Sequence, residues 1–186
     1  MKKFITIIIT IICIFTLASC KSREQRAMER MVTQVVDTHT FTGFEVYSTT
    51  RLCDEVTEKI ALHQYNLGWD KSFYAAFSEA VADPSRPNEF KEYNIRTVKE
   101  CKDAITNDQK MLEYLETIDD KYPDLYNEIS FTTYILTYLR NQDNLCELDA
   151  CFAKFDRSGH MVAFKPYIKG KWEILGNTCS IPGYNQ

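Results

Sequence analysis

The chain opens with an uncharged, isoleucine-rich run, Phe4–Leu17, behind Lys2 and Lys3. Beyond Cys20 the apolar positions fall first into helical and then into alternating spacing. Ala27, Met28, Met31, Val32, Val35 and Val36 recur at three and four residues, which predicts a helix from Arg23 to about Asp37 with Ser22 as its cap. Thr40, Phe41, Thr42, Phe44, Val46 and Tyr47 favour a strand over Thr38–Tyr47, with Gly43 as a bulge. Ser48-Thr49-Thr50 is the expected cap of a helix carrying Leu52, Val56, Ile60 and Leu67 as far as Gly68. Asp70 is the expected start of another, with Phe73, Ala76, Phe77, Ala80 and Val81. Pro84 and Pro87 break the series.

The longest periodic segment runs from about Asn88 to Asp119, with a stripe of Ile95, Val98, Ile105, Leu112, Leu115 and Ile118. At 1.5 Å per residue it would extend on the order of 45 Å. It is expected to pair antiparallel with residues 50–82 and to end at Tyr122-Pro123. After Asn127 the pattern is β. Strands are expected over Ile129–Leu139, Cys146–Phe155 and Met161–Tyr167, with a turn at 141–144 and a hairpin at Asp156-Arg157-Ser158-Gly159. Pro166 places the last of these at an edge or at its own end, Trp172–Leu175 adds a short piece, and the remainder reads as a tail. The expected fold is α+β: a helical hairpin packed on a C-terminal antiparallel sheet of three to four strands.

The opening run is about 14 residues, within the range of a signal peptide and short of the ~20 that span a bilayer. It ends in Leu17-Ala18-Ser19-Cys20, which resembles the lipobox of bacterial lipoproteins. The resemblance implies that residues 1–19 are removed and that Cys20 becomes a diacylglyceryl-modified first residue. Two or more acyl chains at ~0.8 kcal/mol per buried CH₂ hold a domain firmly. The alternative is an uncleaved N-terminal anchor with Cys13 and Cys20 as ordinary buried cysteines. Lys21 rather than aspartate follows Cys20, which in the enterobacterial members of the family permits delivery to the outer membrane, facing the periplasm. The mature part resembles, in the order of its elements over residues 20–175, small lipoproteins of the Bacteroidota; no functional residue carries over.

Residues 20–186 are one domain's worth of chain with no repeat or low-complexity linker. Without Lys2 and Lys3 the chain holds 20 basic and 26 acidic residues, a net charge of −6. That argues against nucleic acid as a partner. A basic stretch, Lys21, Arg23, Arg26 and Arg30 with Glu24 and Glu29, adjoins the anchor and reads either as a headgroup contact or as a solvated helix face. Cys53, Cys101, Cys146, Cys151 and Cys179 are disulfide candidates in an oxidising envelope, and their odd number leaves at least one unpaired. A bridge among Cys146, Cys151 and Cys179 is the first expectation and Cys53–Cys101 the second; buried free thiols are the alternative.

No catalytic motif appears. His39, His63 and His160 lack metal-ligand spacing, so neither metal nor cofactor is expected. Four residues separate Cys146 from Cys151, unlike a redox motif. Asp119-Asp120 makes a poor calcium cage. Tyr134 and Tyr138 would share one face of their strand, a candidate groove. The leading expectation is a lipid-anchored, non-enzymatic module that binds an envelope partner or a small ligand. The alternatives are an envelope enzyme with a site assembled around His160 or His63 and nearby acids, and a spacer without a ligand.

Overall fold

The computed structural model describes residues 21–36, 39–85, 87, 90–142 and 145–184. Cys20 and the lipobox lie outside the described residues. The fold is α+β. The elements in order are α1 (Arg23–Val35), β1 (His39–Arg51), α2 (Leu52–Ala82), α3 (Lys91–Glu116), α4 (Ile118–Lys121), β2 (Ile129–Gln142), β3 (Leu145–Asp156), β4 (Met161–Lys165) and β5 (Glu173–Ile174). They gather into two compact units. Of the described residues, those of 21–49 and 131–178 make up one, and those of 50–130 and 179–184 the other.

The first unit is a five-stranded sheet in sequential order β1-β2-β3-β4-β5. It has five strands where three to four are expected, because β1 joins beside β2 and the short β5 beside β4. Pairing is antiparallel, with Tyr134 opposite Ala153, Leu136 opposite Cys151 and Ala153 opposite Phe164. Alternation puts Leu136, Tyr138, Cys151, Ala153 and Phe155 on one face, and α1 fills it with Met28, Val32 and the following Val36. Ser22 caps α1 as expected, its hydroxyl accepting from Gln25 N–H at 3.0 Å. The face of Tyr134 and Tyr138 is therefore core and not a groove: Tyr138 is fully buried and donates its hydroxyl to Pro166 O at 3.1 Å, while Tyr134 stacks on Phe44. Gly43 answers to a close approach, since a Cβ there would lie 2.7 Å from Thr137 Oγ1.

The second unit is the expected antiparallel hairpin of α2 and α3. The strand preceding it runs on to Arg51, so Ser48-Thr49-Thr50 are extended and do not cap; Asp54 Oδ2 instead accepts from Arg51 N–H at 2.9 Å. Nor does the chain break at Gly68 or restart at Asp70: α2 is one helix of 31 residues. A glycine inside a helix costs about 1 kcal/mol, which side-by-side packing against α3 overrides. Along α3 the buried positions are Asn94, Cys101, Asp108 and Leu115, a seven-residue repeat with polar members, while Ile95 of the expected stripe is half exposed. The helix stops at Thr117 and resumes as the single turn α4.

The C-terminal stretch is a strap and not a loose tail. Ile181 is buried with Leu52, Val56, Leu115 and Ile118. Ser180 N–H donates to Glu55 Oε2 at 2.9 Å, and Tyr114 donates its hydroxyl to Pro182 O. Gly183 has φ +70°, and a Cβ there would lie 2.8 Å from that hydroxyl.

Candidate functional site

Every fourth residue of α2 from 65 to 77 is aromatic, and i, i+4 positions share a helix face. Tyr65, Trp69, Phe73 and Phe77 meet ring to ring at centroid distances of 6.2, 5.6 and 6.3 Å, and Tyr93 of α3 meets Phe77 at 6.1 Å. Such side chains normally seek a core. Yet Tyr65, Trp69, Phe73 and Tyr93 are 63%, 51%, 46% and 52% exposed, which makes a continuous aromatic surface rather than isolated exposed residues.

At its Tyr65 end the ladder borders a groove of about 440 Å³. Tyr65, Asn66, Trp69 and Asp70 line it from α2, and Ala104, Asn107 and Asp108 from α3. The lining thus offers two aromatic walls, two carboxamides and two carboxylates, and contains no lysine or arginine. Cys101 lies in the same seam; burial, then the Asp70 and Glu100 charges, push its thiol up from the ordinary range.

Beneath the groove runs a chain of polar contacts. His63 of α2 is buried, with Nδ1 2.7 Å from Asp108 Oδ1 and Nε2 3.0 Å from the Tyr184 hydroxyl of the strap. Donor and acceptor rules give it one direction for a neutral ring: Tyr184 O–H donates to Nε2, and Nδ1–H donates to Asp108. Both ring nitrogens are occupied by protein groups. Chemically the groove can hold an apolar or ring-shaped surface and fix it by hydrogen bonds, while His63 braces the carboxylate that lines it.

The other sequence candidates do not assemble a site. His160 is exposed in the β3–β4 turn, with Nδ1 3.5 Å from Asp156 Oδ2. The side chain of His39 lies outside the described ones. No group of three or more His, Cys, Asp or Glu residues is placed to hold a metal ion among the described residues. Distance excludes the Cys146–Cys151 pairing of the first expected bridge and the second expected bridge, Cys53–Cys101. Cys146 and Cys151 sit on one strand, about 16 Å apart at 3.3 Å per residue, against the ~7 Å limit between Cα atoms for a disulfide. Cys101 lies beside Asp70, 17 residues and about 25 Å of helix from Cys53. No disulfide joins any of the five among the described residues. Cys151 is fully buried, and desolvation pushes its thiol up to about 12.

Sequence reasoning missed Tyr65, Trp69, Asn107, Asp108 and Tyr184. The four-residue spacing of aromatics and the seven-residue spacing of Asn94, Cys101 and Asp108 were the available signals. No known protein family, curated protein or solved structure matches the chain.

Proposed function

We propose that this protein is a lipid-anchored envelope module, modified at Cys20, that binds an envelope partner or small ligand on the aromatic groove of its helical hairpin. The observation that carries the reading is the exposed ladder Tyr65–Trp69–Phe73–Phe77–Tyr93 ending in a groove of amides and acids. Burying aromatic rings supplies affinity, and a few convergent polar groups supply orientation. The lipobox supports the anchor, and no helix among the described residues is long and apolar enough to cross a membrane. The outer membrane, facing the periplasm, is the proposed location. No cofactor or metal enters the reading.

The test is site-specific crosslinking in intact envelopes, with a photoreactive phenylalanine analogue in place of Phe73 and, as a control, of the exposed Leu148. A discrete adduct at position 73 is expected, reduced on the order of thirtyfold by Trp69→Ala, the weight of a ~2 kcal/mol hot spot. Equal labelling at both positions, or an adduct indifferent to Trp69→Ala, would overturn the reading.

The enzyme reading is favoured by one observation, the Asp108–His63–Tyr184 relay. It is the weaker because neither His63 nor Tyr184 lines the groove, so the relay's imidazole and hydroxyl do not face the surface on which a substrate would bind. A hydrolytic or transfer activity lost in Tyr184→Phe, with the unfolding midpoint retained, would reverse the order.

A further inference from the structure

Helix α1 turns Met28 and Val32 to the core, and Arg23, Arg26 and Arg30 follow one another along a different face at three- and four-residue steps. All three are exposed, and with Glu29, Thr33 and Phe41 they line a cleft of about 650 Å³. The cleft's own acid does not neutralise them. Glu29 accepts from Lys21 Nζ at 2.7 Å through Oε2 and from Gln25 Nε2 at 3.0 Å through Oε1. Glu24 is turned towards the β3–β4 turn, its Oε1 3.5 Å from the position of a Cβ on Gly159. Arg26 and Arg30 spend only Nε, on Ser22 O and Arg26 O at 3.4 and 3.3 Å. Among the described residues no carboxylate is ion-paired with any of the three.

Three like charges in one cleft repel each other, and an anion relieves that repulsion. Guanidinium groups match the planar, forked geometry of phosphate oxygens. The half-buried Phe41 ring, with Lys21 Nζ 5.7 Å over its centroid, forms an apolar wall of the cleft that a glycerolipid can contact and a bare phosphate cannot. The position of the cleft selects between these sources. Arg23 follows Cys20 by three residues, a span of at most about 10 Å of extended chain. A diacylglyceryl group on Cys20 would therefore hold the cleft at headgroup level.

We propose that the Arg23–Arg26–Arg30 cleft binds the phosphate of an anionic phospholipid headgroup beside the anchor, an assignment that rests on the lipid modification of Cys20. The full membrane-extracted chain, held in a zwitterionic detergent, is to be titrated with phosphatidylglycerol, phosphatidylcholine or inorganic phosphate and read by native mass spectrometry. A retained phosphatidylglycerol adduct is expected, bound more tightly than phosphatidylcholine and not displaced by equimolar inorganic phosphate. The double variant Arg26→Gln/Arg30→Gln is expected to weaken it by about tenfold or more, the weight of one or two charge-assisted hydrogen bonds. Lys99→Gln/Lys102→Gln removes the same charge from exposed positions on α3 and is expected to leave it unchanged. Equal retention of the two lipids, an equal loss in both double variants, or displacement by phosphate alone would overturn the headgroup assignment. The covalent mass on Cys20 in the same spectrum keeps the two claims apart. Phosphatidylglycerol retained without it would support the cleft and sink the anchor; a lipidated chain that retains none would sink the cleft alone.

Discussion

His63 and Asp108 are 8% and 6% exposed, so His63→Leu removes the Nδ1–H that the Asp108 carboxylate accepts inside the hairpin. Stranding a charge in a broken buried pair costs about 3–5 kcal/mol, and Asp108 borders the groove, which places it near the lower end, about 3 kcal/mol. Asp108→Leu strands only a neutral N–H donor, worth about 2 kcal/mol. Replacing both by Leu strands neither the charge nor the N–H and leaves only the half-buried Tyr184 hydroxyl without its ring partner, so the double variant should cost about 1–2 kcal/mol, well below the sum. The assay is urea unfolding of the full chain in a Trp172→Phe background. Trp69 then reports the hairpin unit alone, since Trp172 belongs to the sheet unit. With a slope of ~2 kcal/mol per molar urea, His63→Leu should lower the midpoint by about 1.5 M, and the double variant should recover about half of that loss. Costs that simply add would refute the claim that His63 braces a buried carboxylate.

Gly183→Ala should destabilise the hairpin unit by about 1–3 kcal/mol, from the positive φ and the contact with the Tyr114 hydroxyl; the same Trp69 signal checks it, and no change would mean that the strap is loose. Tyr138→Phe should cost the sheet unit about 1–2 kcal/mol by leaving Pro166 O without its donor, followed through Trp172 in a Trp69→Phe background. Iodoacetamide at pH 8 should label the exposed Cys146 within minutes and spare Cys151, whose rise from 9.0 to about 12 cuts its thiolate about a thousandfold; equal labelling by peptide mass spectrometry would contradict that burial. Because the fold favours the neutral Cys151 thiol, its contribution to stability is fully present below about pH 9 and is lost as pH rises towards 12; Cys151→Ala should flatten that part of the pH–stability curve.

The chain announces its elements where one physical signal dominates. Met28 and Val32 on a three-and-four spacing, the Asp156–Gly159 turn and the Pro84–Pro87 break all coincide with what forms. It misleads where tertiary packing outweighs a local signal. Gly68 and Asp70 look like a helix boundary, but side-by-side packing with α3 carries α2 through them. Tyr138 looks amphipathic enough for a surface, but its hydroxyl finds the Pro166 carbonyl, so the ring can be buried whole. The residues 179–184 carry little periodicity because the strap is held by Ile181 and by single hydrogen bonds to distant helices. The groove is hidden for a related reason. Asp108 has the composition of a solvated helix face, and its burial depends on His63, 45 residues earlier in the chain.

The most direct test of a lipid-anchored module is the intact mass and N-terminal residue of the protein extracted from its own envelope. The account predicts a polypeptide beginning at Cys20, carrying a diacylglyceryl thioether, with residues 1–19 absent; Cys20→Ser should lose both the lipid and membrane fractionation. A membrane-extracted chain that retains Met1–Ser19, or that begins with an unmodified Cys20, would contradict it.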